Sequence, residues 1–244
     1  MKKLRTIIRW VIWTIAGLYI TTIVLLHIPA VQGFLAQKVG GVAGNKLGTE
    51  VHVGRIDLGF INRFVLDDIL IYDQSHKKML SASRVGARVD IWHLLRTGEI
   101  NISSAQLFGL QAELYKTSKD AKPNFQFVLD SLASKDTTSH TPLHLSINSL
   151  VIRHGSIKYD CLDVPTTPNR LNLNHINVSD ISSYLILNKL DDTSVWADLR
   201  ALAFKEASGL EVKQLAFELK ANQQQATLRD FIFDGTNSKI ALKE

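Results

Sequence analysis

The chain has 244 residues, 45% of them apolar and 21% charged, a composition of neither a disordered nor a fibrous protein and one able to bury a core. Most of its formal charge of +5 comes from Lys2, Lys3, Arg5 and Arg9; without these four of its 28 basic residues, 24 stand against 23 acidic ones, which excludes a broad basic surface for nucleic acid. Cys161 is the one cysteine, which excludes an internal disulfide framework.

Residues Trp10 to Leu26 form a run of seventeen positions without a charge, long enough to cross a bilayer as a helix. Pro29-Ala-Val-Gln32 offers no small-x-small cleavage site, so the run reads as an uncleaved anchor over 1–29, with Trp10, Trp13, Leu18 and Leu26 among its apolar residues. All the early basic residues precede it, so the positive-inside rule places the N-terminus in the cytoplasm and the body across the membrane.

Pro29 interrupts the helix. Over 30–48, Val31, Phe34, Leu35, Val39, Val42 and Leu47 lie roughly on one helical face, ending at Gly48 as a C-cap. This predicts a short amphipathic helix. Gly33, Gly40, Gly41 and Gly44 weaken it, so it needs something to lie against, and a plug at one end of a sheet suits it better than the membrane surface. No Gly-Lys-Ser/Thr follows, so these glycines are not a phosphate loop.

From Glu50 strands dominate. Asp73 to Lys78 reads as a turn, His93 to Arg96 as one helical turn, and Glu99 to Lys116 as one long extended segment. Phe125 to Leu132 has helical spacing with Asn124 available as N-cap. A polar, flexible insertion is expected near 117–142, and Val164 to Pro168 reads as a turn. The rest is strand up to Leu242.

One spacing of apolar residues, i, i+2, i+5, i+7, recurs along this region. It appears at Leu145/Ile147/Leu150/Ile152, Val51/Val53/Ile56/Leu58, Phe64/Leu66/Ile69/Ile71 and Leu80/Ala82/Val85/Ala87. It returns at Ile100/Ile102/Ala105/Leu107, Leu171/Leu173/Ile176/Val178, Leu210/Val212/Leu215/Phe217 and Ala226/Leu228/Phe231/Phe233. Demanding non-apolar residues at all intervening positions leaves four copies where about one is expected by chance, so these are similar strands rather than a strict repeat. Side chains alternate faces along a strand, so a three-residue step moves the second pair to the wrong side unless something absorbs one residue. A β-bulge does so, and it bends the strand; a short turn within each motif is the alternative. Bulged strands predict a curved sheet, apolar on one face, which the chain's few helices are too little to cover. Either the sheet folds over into a filled core, or its concavity holds something oily.

The constellations of polar residues are weak candidates for catalysis. Ser75-His-Lys-Lys78 matches Ser-x-x-Lys but lies in a turn without companion motifs. His140 and His144 are separated by Pro142, which breaks the helix that would align them on a metal. Asp67-Asp68 and Asp191-Asp192 are neighbours whose side chains point to opposite faces in a strand. The chain reads as a non-enzyme, with no catalytic, cofactor or metal residues to assign.

Taken in order after the anchor, Leu47-Gly-Thr-Glu-Val-His-Val-Gly-Arg-Ile-Asp-Leu58, Leu66-Asp-Asp-Ile-Leu-Ile-Tyr-Asp73 and Leu94-Leu-Arg-Thr-Gly-Glu-Ile-Asn-Ile102 resemble the start of an AsmA-like protein, closest to the TamB branch. The resemblance covers residues 1–115 by motif and the remainder by strand pattern. It implies a mainly β fold in which 49–244 form a curved, meandering antiparallel β-groove that continues beyond this chain. It implies an inner-membrane protein with a periplasmic body in a diderm bacterium. It further implies transfer of phospholipid towards the outer membrane, or help in assembling outer-membrane proteins, with an outer-membrane β-barrel assembly protein as partner. The candidates for contact with acyl chains are Val51, Val53, Leu66, Ile69, Ile100, Ile102, Leu145, Ile147, Leu171, Leu173, Leu215, Phe217, Leu228 and Phe231. The long body and C-terminal domain of the family are not in this sequence. The other reading is a membrane-tethered β-rich adaptor with a dry core.

Overall fold

A computed structural model describes residues 2–58, 62–90, 92, 93, 96, 102–133, 148–190 and 194–242. Leu94, Leu95, Glu99, Ile100, Leu145, Ile147, the histidines at 140 and 144, Asp191-Asp192 and the 134–142 part of the expected insertion lie outside the described residues.

Helix α1 (Lys2–Leu26) contains one stretch, Thr6–Leu26, long and apolar enough to cross a membrane, and none of it is buried against the rest of the chain. Ile28, extended at φ −72° and ψ 124°, is the N-cap of α2 (Pro29–Leu47), with Pro29 in the first turn, where a missing N–H is harmless. α2 ends as expected: Gly48 is left-handed at φ 68°, and the Thr49 amide donates to Gly44 O at 3.1 Å.

The strands are β1 (Val51–Leu58), β2 (Arg63–Tyr72), β3 (Lys78–Val89), β4 (Ile102–Phe108), β5 (Gln111–Lys116), β6 (Ser149–Cys161), β7 (His175–Leu190), β8 (Ser194–Glu206), β9 (Glu211–Asn222), β10 (Ala226–Gly235) and β11 (Lys239–Leu242). They form one sheet in the order β1-β2-β3-β4-β6-β7-β8-β9-β10-β11, with β5 continuing the line of β4 between β3 and β6. The sheet is mixed, not antiparallel throughout, because β4 and β5 run parallel to β6. A parallel step needs a long crossover, and residues 117–148, carrying α3 (Gln126–Ala133), supply it. The segment expected to be one extended run from Glu99 is cut at Gly109, φ 62°.

α2 plugs the β1 end of the sheet, though not with the face its apolar spacing suggested. Gln32, Ala36, Gly40 and Gly44 are buried, whereas Phe34, Val39 and Val42 are exposed. The reason lies in the β1 backbone. Tyr72 N donates to Glu50 O, so 50 and 72 are a hydrogen-bonded pair and the alternate residues Val51 and Val53 direct their N–H and C=O away from β2, to the open edge. α2 lies along that edge so closely that a Cβ at Gly40 would be 2.8 Å from Val51 O and one at Gly44 2.7 Å from Thr49 O. Small residues are therefore what the contact requires, and the helix covers an edge that would otherwise recruit another strand. Ala36, Val53 and Ile56 form the buried cluster there, with Leu35, Val51 and Leu66 against it.

The three-residue steps within the strands fall at irregular residues. Asp68, His154, Asp180 and Asp230 take positive φ of 51–55° in mid-strand, a conformation Asp and His adopt more readily than most residues. Val53 pairs with Ile69 and Arg55 with Asp67, leaving Gly54 and Asp68 facing each other; on β3, Ala82 and Arg84 continue both pairs, leaving Ser83. The same interruption passes on through Gly109 and His154 to Asp180. From β1 to β6 these residues face one another and the register is the same on either side of them, whereas between β6 and β7, β7 and β8, β8 and β9, and β9 and β10 the register shifts; in both cases the next apolar pair returns to the original face.

The accessible surface, 16934 Å², exceeds the roughly 11,000 Å² of a compact protein of this mass. The free-standing α1 supplies part of that difference.

Candidate functional site: the apolar face

Cross-strand partners define a row that runs through ten strands: Ile56, Leu66, Val85, Leu107, Ile152, Ser183, Leu202, Leu215, Phe233 and Ile240. Ser183 is its one polar member. Ile56 is buried under α2, the next eight are half-buried, and Ile240 is exposed. A second row beside it runs Phe64, Ala87, Ala105, Leu150, Leu185, Leu199 and Phe217. Beyond the irregular residues a third runs Val51, Ile71, Leu80, Ala112, Ile157 and Val178. These two rows are half-buried apart from buried Ala105, Leu199 and Ala112, and half-burial is the signature of side chains that touch their neighbours in the sheet but lack a second layer above them.

Of the candidates named from sequence, Leu66, Ile69, Leu215, Phe217, Leu228 and Phe231 lie on this face, and Val51 and Val53 lie on it under α2. Ile102 is half-buried at the start of β4. Leu171 and Leu173 do not belong: they precede β7, 54% and 74% exposed, where Asn172 bridges to His175 and the three-residue step is a turn. Asn124 does not serve α3 as a side-chain cap either. Its amide instead donates to Glu113 O and to Asp73 Oδ2 and accepts from Tyr115 N.

Sequence spacing alone missed Ser183 and Leu185 on β7 and the members on β8, and it framed the central strands five residues early. The structure carries the pattern at Ala105/Leu107/Leu110/Ala112, Leu150/Ile152/Gly155/Ile157, Ile176/Val178/Ile181/Ser183 and Ala197/Leu199/Leu202/Phe204. Each slip then falls on or beside a positive-φ residue or a register shift.

The opposite face is polar. Arg55 and Arg84 close on Asp67 from both sides at 2.6 and 2.7 Å; the Arg84 hydrogen bond, opposed by burial and reinforced by Arg55, holds the carboxyl below its ordinary range. Glu218 accepts from Trp196 Nε1 at 2.8 Å while Lys220 stands over the Trp196 ring. The loops beyond the strand ends are tied by buried carboxylates. Burial pushes the Asp73 carboxyl up, but the amides of Lys77 and Ser75, the Tyr115 hydroxyl and Asn124 more than reverse it. Ser75 and Lys78 belong to this turn and the first residue of β3. Among the described residues no three His, Cys, Asp or Glu are gathered as metal ligands.

Comparison with protein families, with curated proteins and with solved structures finds no match for this chain.

Proposed function

We propose that this is a single-pass membrane protein of the inner membrane whose periplasmic sheet holds phospholipid acyl chains along its apolar face and conducts them towards the outer membrane. On this reading it is an AsmA-like protein of the TamB branch. One observation carries it: an apolar row through ten strands, half-buried and interrupted only by Ser183. Methylene groups leaving water gain about 0.8 kcal/mol each, so even part of one acyl chain lying across such rows is held usefully. The free-standing apolar α1 supports the anchoring half of the reading. Outer-membrane protein assembly, with a β-barrel partner, is the other task the resemblance implies for the same face.

The test is native mass spectrometry of the full chain extracted in mild detergent. Phospholipid should co-purify, and Ile152→Asp should abolish it while leaving membrane anchoring intact. Retention of lipid by Ile152→Asp, or its absence from the wild type, would sink the conduit. A second reading, a tethered adaptor for proteins, draws support from the edge at β10, where the described residues of β11 pair with Phe231 to Asp234 and Ala226 to Asp230 are exposed.

A further inference from the structure

The height at which the sheet leaves the membrane is set by α2. Only His27 and Ile28 separate it from α1. It runs antiparallel to β1, with Gly44 beside Thr49, Gly40 beside Val51 and Val53, and Ala36 against Val53 and Ile56. From Ala36 back to Pro29 is roughly 10 Å of helix, or about three strand residues. The helix therefore starts level with the end of β1, the beginning of β2 and the end of β3.

At that rim Arg63 and Arg88 are direct partners across β2 and β3. Both are exposed, and neither guanidinium meets a carboxylate among the described residues. Further along the same strands Asp67 neutralises Arg84. Like charges directly opposite weaken a strand pair, so this one lacks an anion rather than supplying one. Of the nearby acids, Asp90 Oδ1 accepts the His93 amide, and Asp57 on β1 adds to the field at Arg84. Just past the end of β3, Trp92 is 72% exposed, and Arg96 is exposed too.

We propose that this rim docks on the membrane surface, with Arg63 and Arg88 together taking the phosphate of an anionic phospholipid headgroup and the Trp92 ring lying in the interface. Guanidinium groups match phosphate oxygens in pairs, and indole rings favour the headgroup level. The headgroup layer is about 5–8 Å deep on each side, so a rim level with the start of α2 is within its reach. Two basic residues at an anionic surface favour the docked state by roughly thirtyfold. Docking would hold the near end of the apolar rows at the bilayer. The inference rests on reading α1 as a membrane span.

The full chain is reconstituted into nanodiscs of brominated phosphatidylcholine, with or without phosphatidylglycerol, as two variants. W10F/W13F/W196F keeps Trp92 as the one indole, and W92F/W196F keeps Trp10 and Trp13 in α1. Trp92 fluorescence should be quenched, more strongly with phosphatidylglycerol, and R63Q/R88Q should remove that added quenching without lowering thermal stability. Unquenched Trp92 beside quenched Trp10 and Trp13 overturns the docking and leaves the anchor standing. Trp92 quenching indifferent to phosphatidylglycerol and to R63Q/R88Q overturns the headgroup site, and unquenched Trp10 and Trp13 overturn the anchor and the docking with it.

Discussion

Gly54 faces Asp68 across β1 and β2 where Asp68 takes a positive φ, and a Cβ on Gly54 would come within 2.9 Å of the Asp68 Cβ. At this contact the Asp68 side chain and the Asp67 carbonyl leave no room for a second Cβ. Gly54→Ala should therefore destabilise the protein by about 1–3 kcal/mol, the usual effect of overpacking. Asp68, at φ 55°, tolerates glycine, so Asp68→Gly in the same chain should recover most of the loss. Thermal unfolding of the two single variants and the double variant measures the coupling; additive effects would mean that the clash is not the cause.

The contact of α2 with the β1 edge makes a second demand of the same kind. Gly40→Ala sets a methyl group against Val51 O, a backbone atom that cannot step aside without moving the strand. Hydrogen exchange should then accelerate at the Val51 and Val53 amides, which face the helix rather than β2, and self-association should rise as the edge is uncovered. Unchanged exchange at these amides would show that the helix does not close the edge.

His175 links β7, β6 and the loop after Cys161. Its Nδ1 lies 2.9 Å from Asp160 Oδ1 and its Nε2 2.7 Å from Val164 O; a carbonyl and a carboxylate both accept, so the imidazolium is the form that satisfies both contacts. The Asp160 hydrogen bond, helped by Val164 O, raises the His175 pKa, while Asp160, pushed up by burial, is brought below its ordinary value by His175 and Lys158. The histidine's contribution is thus complete below its unfolded pKa of about 6.5 and disappears as pH rises through the higher folded value. The aspartate's is present above about 3.9 and disappears as pH falls through its lowered one. NMR titration should find His175 titrating above an unfolded histidine, with loop amides 162–174 best protected between those limits. A His175 that titrates at or below the unfolded value would remove the imidazolium.

Much of this architecture is written in the spacing of apolar residues, and what was illegible has a definite cause. The spacing i, i+2, i+5, i+7 is made of pairs repeating every five residues, so when a strand carries three pairs a window fits either the first two or the last two. Leu150/Ile152 closes one frame and opens the next, and only partners on β4 and β7 decide between them. The frame of β7 was missed because Ser183 occupies an apolar position in the row. The face of α2 was misjudged because its partner is a strand edge, which selects small residues over greasy ones. The parallel step from β5 to β6 has no local signal, since direction within a sheet is fixed by where the crossover lands.

Ser183 supplies the last prediction, because it interrupts a row that is otherwise apolar from Ile56 to Ile240. Its neighbours in that row are Ile152 and Leu202. If acyl chains lie across these strands, Ser183→Leu adds apolar contact where the hydroxyl offers none, and the bound lipid should be retained longer, by a factor of about ten for roughly 1.4 kcal/mol of added contact. Ser183→Asp should instead break the row into two shorter ones and lower retention, while Ser179→Asp, on an exposed residue of the same strand, should leave it unchanged. Lipid exchange between vesicles and detergent-purified protein reads all three. Equal retention in Ser183→Leu and Ser183→Asp would mean that lipid, if bound, does not cross β7 at this level, and the row would be a feature of sheet packing alone.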